Sequence, residues 1–508
     1  MKILKTAQIK EGDHYTILHE PISSLDLMER ASTKAFQKIL EVYPEKKKYV
    51  VFAGSGNNGG DGLVIARLLA GTGKRVKLFF VKFTDNVTPD FHINYIRLKE
   101  QKIVEITELS SSECFPVIET DEIIVDALFG SGLTRSITGF PAEVIKKMNE
   151  SSVDIISVDM PSGLFGEESP DTLNTIVKAT LTLTFQFPKL SFMFPECQDF
   201  VGRFEVIDIG IHQNYIQKTL SLFYYLTDED IKLKCRKKFS HKGNYGHALI
   251  ISGSYGKAGA SVLAVKAAQR AGAGLVSALV PSCNYQILQT SSPETMLFPD
   301  SNKKFVTELP DLSSFSAVGI GPGVGFNKKT KVLLKHLIVN YRKTIVFDAD
   351  ALTILSENKE LLDMIPNRCI LTPHFKEFER LAGKSDNHDM RLQKLTEFAV
   401  RYNVIVVLKG VHSAIALPDG RIFFNSTGNA GMATGGSGDV LTGIIVSLAA
   451  QGYEPAEAAI IGTYIHGLSG DFAKKTVGQN ALIASDIICF LPEAFKYFEK
   501  FQDNCLNF

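Results

Sequence analysis

Along this chain, short apolar runs rich in β-branched residues end repeatedly in turns built from Gly, Asp or Ser, and longer segments with helical spacing separate them. Runs of about four to eight residues read as strands, and apolar positions recurring every three or four residues read as helices. Their alternation predicts parallel sheets, since a parallel pair needs a crossover long enough to hold a helix. In the first part the clearest strand ends are Tyr49 to Ala53 before GSGNNGGDG, Ile123 to Val125 before DALFGSGLTR, and Ile155 to Val158 before DMPSG. All three loops leave the carboxyl ends of strands, where open α/β sheets bind ligands.

The pattern weakens between Val206 and Tyr225 and runs into the basic stretch KLKCRKKFSHKGN. A domain boundary is expected there, giving one domain over 1–220 and a second over 221–508. The second part restarts with HALIISGS (His247 to Ser254), SAVGIGPG (Ser316 to Gly323), TIVFDAD (Thr344 to Asp350), CILTPH (Cys369 to His374) and VIVVLKG (Val404 to Gly410). ALPDGRIFFN predicts a hairpin turning at Asp419 and Gly420. A glycine-rich loop, GNAGMATGGSGD, then leads into the apolar helix VLTGIIVSLAA. The loop motifs of the two halves differ, so the halves are not repeats.

At 508 residues the chain is too long for one ordinary core. It is 45% hydrophobic and 22% charged, which marks a folded chain, and the balance of 55 basic against 55 acidic residues argues against nucleic acid or a membrane surface as partner. The 40 glycines follow no Gly-X-Y period, so they are expected in tight turns and where backbone approaches ligands. Seven scattered cysteines without a CxxC pair read as free thiols in a reducing compartment and speak against a zinc site. MKILKTAQIKEGDHYTI lacks the apolar core of a signal peptide, and no apolar run approaches the ~18–20 residues of a membrane span. The expectation is a cytoplasmic enzyme.

GSGNNGGDG contains the string GxGxxG between a strand and a helix, which raises a dinucleotide site. That match is weak: Asn57, Asn58 and Asp61 are unusual there, and the nearest acidic residue to take the ribose role is Asp85. With Asp126 and Asp159 at neighbouring strand ends, two carboxylates, an amide and the Ser162 hydroxyl converge. Such an oxygen set suits a hard cation or acid–base chemistry on a small ligand, unless each Asp merely caps its turn. In the second part, GGSGD (Gly435 to Asp439) runs directly into a helix and gathers backbone N–H groups around an anion. A carboxylate beside an anion hole fits transfer of a phosphoryl group to a hydroxyl, and no GxxxxGK[ST] loop occurs in the chain.

GSGNNGGDGLVIAR, VDALFGSGLTR, SVDMPSG and VKATLTLTFQFPK, in that order over about 200 residues, resemble the NAD(P)H-hydrate epimerase domain. The resemblance implies a Rossmann-like three-layer αβα domain, with Asn58, Asp126 and Ser162 as ligands to a potassium ion. Asn57, Asn58, Gly59, Gly60 and Asp61, the loop Gly130, Ser131, Gly132, Leu133, Thr134 and Arg135, and Asp159 would hold the hydrated nicotinamide nucleotide. That substrate carries a hydroxyl on C6 beside the ring nitrogen, and Asp159 is the expected proton carrier. Ser32 and Ser131 depart from the pattern, standing where Gly and Thr are usual, without removing a functional group.

HKGNYGHALIISGS, YGKAGASVLAVKAAQRAGAGLV, GIGPGVG, DADAL, LTPHFKEFERL, VLKGVHSAIA, NSTGNAGMATGGSGDVLTG and ALIASDI resemble the NAD(P)H-hydrate dehydratase domain of ribokinase-like α/β fold, over about 250 residues. By that resemblance Ala260, Gly323, His374 and Asp439 contact the hydrated nucleotide. Lys409, Gly410, Val411, His412 and Ser413, with Asn429, Gly435, Gly436, Ser437 and Gly438, would surround ADP, taken up with Mg²⁺. Ser413 stands where Thr is usual. The implied activity is repair of hydrated NADH and NADPH: an isomerase interconverts R and S forms, and a lyase dehydrates the S form while ADP becomes AMP and phosphate, with Asp439 as base.

Three other readings compete. A vitamin-precursor kinase would share GGSGD and the hairpin but leaves the first 200 residues unexplained. A binding module in place of the epimerase would use the same loops, and a GxGxxG dehydrogenase would need residues for a hydride acceptor that the chain does not display. The partners expected are small molecules and further copies of the chain in a homo-oligomer.

Overall fold

In the computed structural model, which describes residues 1–170 and 174–499, the chain falls into two units, Met1–Phe223 and Tyr224 onward. The first holds a seven-stranded sheet in the order Glu105–Leu109, Arg75–Val81, Lys48–Ala53, Glu122–Ala127, Ile155–Val158, Leu181–Phe185, Arg203–Ile207, and every neighbouring pair is parallel. Successive strands step one way from Lys48–Ala53 and the other way from Glu122–Ala127, so the order reverses between these two. A crevice opens at such a reversal because the following loops leave in opposite directions.

Strand alternation decides the layers. Tyr49, Val51 and Ala53 pack with Ala35 and Ile39 of helix Ser24–Val42, Leu63 and Ile65 of Asn57–Gly71, and Phe91 of Pro89–Gln101. Val50 and Phe52 point to the other face, against Val144, Ile145 and Met148 of helix Phe140–Glu150. Helices on both faces leave the sheet buried, as all-parallel sheets require.

The helix after the first glycine-rich segment begins at Asn57, earlier than the LVIARLLA run suggested. Its glycines are there for contact. A Cβ on Gly59 would lie 1.9 Å from the Gly54 carbonyl oxygen, one on Gly60 2.8 Å from Met28 Sδ, and one on Gly62 2.6 Å from the Ala127 Cβ. These glycines let the helix sit directly on the sheet and on its neighbour, a packing reason for Gly59 and Gly60 that stands beside the expected contact of their backbone with the nucleotide.

The second unit carries the strand order Ile422–Phe424, Ala414–Ala416, Ile405–Leu408, Ile370–Leu371, Thr344–Phe347, Ala317–Ile320, His247–Ile251, Leu275–Pro281, Met296–Asp300. Pairs from Ile405–Leu408 to Met296–Asp300 are parallel, and the Ala414–Ala416 and Ile422–Phe424 strands form the expected antiparallel hairpin, with Gly420 at φ 87°. Here the order reverses between His247–Ile251 and Ala317–Ile320. Helices Ala258–Arg270, Ser437–Ala450, Pro455–Val477 and Ala484–Glu499 pack on one face around Ala248, Ile250, Ala278 and Val346.

Among the described residues no helix is long and apolar enough to cross a membrane. Cys114, Cys283, Cys369 and Cys489 are free, as expected at those positions.

Candidate active sites

In the first unit the chemistry gathers at the reversal. Asp126, next to last in its strand and fully buried, accepts hydrogen bonds from Ser157 Oγ at 2.8 Å, the Ser162 N–H at 2.9 Å and Ser162 Oγ at 2.5 Å. Burial raises its carboxyl above the ordinary value and these donors only partly offset it. Ser162 Oγ in turn accepts from the Phe129 N–H at 2.9 Å. Asn58 is buried in the first turn of its helix, and neither side-chain atom has a partner. An unmet amide at this depth costs about 1–3 kcal/mol, so a ligand or ion is what would satisfy it.

Asp159 follows strand Ile155–Val158 with φ at 63°, a left-handed conformation that costs about 1–3 kcal/mol for a residue with a Cβ. The turn aims its carboxylate across the crevice: a Cβ on Gly130 would lie 3.5 Å from Asp159 Oδ2 and 3.2 Å from Asn58 Cβ. Oδ2 accepts the Ser131 N–H at 3.2 Å, and Oδ1 accepts Lys189 Nζ at 2.7 Å. Burial by itself would push this carboxyl up, but the Lys189 ammonium and the backbone donors outweigh it, and the group stays below the usual carboxylate range. Lys189 is 1% exposed and also donates to Thr184 Oγ1 and the Phe187 carbonyl. It ends VKATLTLTFQFPK, yet spacing alone gave no reason to single it out.

Other expected residues separate. Asn57 is exposed at the helix start, and Gly132, Thr134 and Arg135 lie on the open side of their loop, with Leu133 half-buried. Asp61 points inward, where it accepts Ser32 Oγ at 2.7 Å, and burial pushes its carboxyl well above the ordinary value. The serine that departs from the family pattern therefore holds one oxygen of the aspartate, which stays within the field of Asp159 and Asp13.

The second unit repeats the arrangement with different groups. A Cβ on Gly323 would lie 3.0 Å from Lys257 Cβ and 3.4 Å from Ala260 Cβ, so the loops on either side of the reversal touch there. Asp439 sits in the first turn of helix Ser437–Ala450, among the N–H groups that have no partner within the helix. Burial, reinforced by Asp348 and partly offset by Lys409, pushes the Asp439 carboxyl up to about 7. Asp348 accepts Thr372 Oγ1 at 2.8 Å and Lys409 Nζ at 2.9 Å on one oxygen, and Thr442 Oγ1 at 2.8 Å on the other. A Cβ on Gly438 would lie 3.3 Å from Lys409 Nζ, so the GGSGD turn passes directly over that ammonium. His466, half-buried, points Nε2 at the Ser437 carbonyl at 3.0 Å and supports the same turn.

His374 caps helix Phe375–Ala382: its Nδ1 accepts the N–H groups of Lys376 and Glu377 at 3.1 and 3.3 Å. Nε2 lies 3.4 Å from Glu377 Oε1, so the ring is held at both nitrogens, which suits positioning a substrate better than carrying protons. Ser413 Oγ closes its turn on Gly410, His412 Nδ1 faces the Asn425 carbonyl at 3.0 Å, and Val411 is exposed at the tip. Asn429 is held by Asp471, which also accepts the Gly428 N–H. Asp348, Asp471 and His466 escaped the sequence reading. Asp348 lay within DADAL, where a strand-ending acid at the fold's midline was the available signal.

A family profile described as NAD(P)H-hydrate dehydratase matches residues 248–493, and one described as YjeF-related protein N-terminus matches residues 24–191. The chain is 35% identical to a bifunctional NAD(P)H-hydrate repair enzyme of Moorella thermoacetica, over 98% of either chain. It is 34% identical to the one of Escherichia coli, over 92% of this chain and 88% of that one. Among solved structures, a Bacillus subtilis ADP/ATP-dependent NAD(P)H-hydrate dehydratase aligns with 54% of this chain and 98% of its own, at 28% identity and a TM-score of 0.48.

Proposed function

The chain belongs to the bifunctional NAD(P)H-hydrate repair enzymes, and from that premise we propose that unit Met1–Phe223 interconverts the R and S hydrates of NADH and NADPH while the unit from Tyr224 dehydrates the S form. The observation that supports this best is that each reversal crevice holds a carboxylate suited to moving a proton, Asp159 in the first and Asp439 in the second.

In the epimerase unit, Asp159 stays ionised beside Lys189 and takes the proton of the C6 hydroxyl, which allows the hemiaminal carbon to lose its configuration. Backbone N–H groups of the 130–135 loop and the side chain of Asn57 line the approach for the nucleotide. Asn58, Asp126 and Ser162 form an all-oxygen set that fits a potassium ion, and the unpartnered Asn58 amide supports that use. A bound potassium ion would supply positive charge beside the substrate. An ion ligand of this kind is worth about 1.5–3 kcal/mol, so Asn58→Ala is expected to weaken the apparent potassium affinity roughly 10- to 100-fold. Epimer exchange titrated with KCl checks this, and an unshifted midpoint would remove Asn58 from the ligand set.

In the dehydratase unit, Asp439 draws the proton from the C6 hydroxyl as its oxygen attacks the terminal phosphoryl group of ADP, which is taken up with Mg²⁺ and leaves as AMP. The helix N-terminus at Ser437 and the Lys409 ammonium receive the negative charge. Phosphate then departs with help from the ring nitrogen, and loss of a C5 proton restores the dihydronicotinamide. Ala260, Gly323 and His374 hold the hydrate, while Lys409 to Ser413 and Asn429 to Gly438 hold ADP.

The test is a mixture of R and S NADPH hydrates with Mg²⁺ and K⁺, supplied with ADP or ATP, followed by recovery of reduced-nicotinamide absorbance. Complete recovery is expected. Recovery that stops when the S form is used up would reduce the first unit to a binding module, and no recovery with either nucleotide would favour a small-molecule kinase.

A further inference from the structure

Interconversion at a hemiaminal carbon needs two proton-transfer groups. When the C6 hydroxyl loses its proton and C6=O forms, the C6–N1 bond breaks and its electron pair goes to N1, which must take up a proton before the ring closes on the other face. Asp159 accounts for the first proton. Lys189 is bound on three sides within the protein and is committed to Asp159.

The N-terminal helix Thr6–His19 supplies a candidate. Thr6, Lys10 and Asp13 stand at i, i+4 and i+7 and so form one stripe along it. Two of the three meet loops that border Asp159. The Thr6 N–H donates to Glu167 Oε1 at 2.8 Å, and a Cβ on Gly166 would lie 3.0 Å from Thr6 Oγ1. A Cβ on Gly132 would lie 3.6 Å from Lys10 Nζ. The opposite side of the helix is anchored independently: a Cβ on Gly12 would lie 3.0 Å from the Tyr215 ring, Tyr215 Oη donates to the Gln8 carbonyl at 2.5 Å, and the His212 N–H donates to Thr16 Oγ1 at 3.0 Å. The helix thus turns its Thr6–Lys10–Asp13 stripe to the mouth of the crevice, with the Asp13 carboxylate in the field of Asp159 and Lys189.

We propose that Asp13 is the second proton-transfer residue of the epimerase site, giving a proton to N1 as the C6–N1 bond breaks and taking it back as the ring closes on the opposite face. Asp159 returns its proton to the oxygen in the same closure, so the enzyme ends as it began. This rests on the epimerase reading of the first unit.

The two acids stand in opposite states, as a donor and an acceptor must. Burial, reinforced by the Asp159 carboxylate and partly offset by Lys189, pushes Asp13 up to about 7. The other groups in its field are Asp61 from helix Asn57–Gly71 and Tyr215 from helix Gln213–Lys218. Asp61 is tied to Ser32 and turned inward. The donor must start protonated, so exchange is present below about pH 7 and is lost as the pH rises through that value.

The experiment uses the full chain and R-NADPH hydrate, with dehydration in excess so that exchange limits recovery and the spontaneous rate subtracted. Asp13→Asn is expected to lower kcat for exchange by about 10²–10⁴-fold, leave KM within about twofold, and leave dehydration of the S hydrate unchanged. Asp13→Glu is expected to restore part of the rate together with the alkaline fall in kcat/KM, which Asp13→Asn should lack. Wild-type exchange in Asp13→Asn would overturn the proposal. So would a loss accompanied by raised KM with the alkaline fall retained, since that marks a helix that only docks. If the unsubstituted chain drains the S hydrate but never converts the R hydrate, the epimerase reading itself fails, and the role of Asp13 goes with it.

Discussion

Asp439→Ala is expected to abolish dehydration of the S hydrate while R and S forms still interconvert at the original rate. Removing a general base costs about 10²–10⁴-fold, and the two carboxylates in its field are committed elsewhere: Asp348 accepts from Thr372, Lys409 and Thr442, and Asp350 from Lys257 and the Gly325 N–H. The pH dependence provides a second signature. A base must be ionised, and the Asp439 carboxyl stands at about 7, so kcat/KM for dehydration should fall as the pH drops through that value. Recovery of absorbance from pure S hydrate between pH 5.5 and 8.5 measures both. Undiminished dehydration in the alanine variant would remove Asp439 from the role of base.

Asp159→Ala should have the converse effect, stopping exchange while dehydration of S hydrate continues. Two losses combine there. The proton carrier disappears, and Lys189 is left as a buried cation without its carboxylate, a defect worth about 3–5 kcal/mol when one partner of a buried pair is removed. Exchange should therefore fall by at least ~10²-fold, and the first unit should melt earlier. The double variant Asp159→Asn, Lys189→Met separates the two, because it removes the stranded charge: stability should return in that chain and exchange should not. Exchange at the original rate in either variant would exclude Asp159 as the proton carrier.

Much of the scaffold could be read from the chain, because β-branched runs ending in turns mark buried parallel strands. The hairpin was visible in Asp419 and Gly420 for the same local reason. Local signals misled where a contact lay far away in sequence. Gly59, Gly60 and Gly62 looked like a loop, but Gly54, Met28 and Ala127 press on them, and those contacts exist only after folding. The hydrogen bond from Ser32 to Asp61 joins two helices and was likewise invisible in the sequence. Asp159 and Asp439 stood out because they end motifs. Asp13 did not, since its setting comes from strand ends well over a hundred residues away.

Asp348 touches three segments at once: the strand before His374 through Thr372, the 409–413 turn through Lys409, and the GGSGD helix through Thr442. In evolutionary terms such a hub removes independence. A substitution that shifts any one of these segments changes what the shared carboxylate can offer the other two, so none is free to wander alone. New substrate preferences in this unit would therefore arise at its unfastened positions, such as the exposed tip at Val411, and the three tethered segments would drift in concert or not at all.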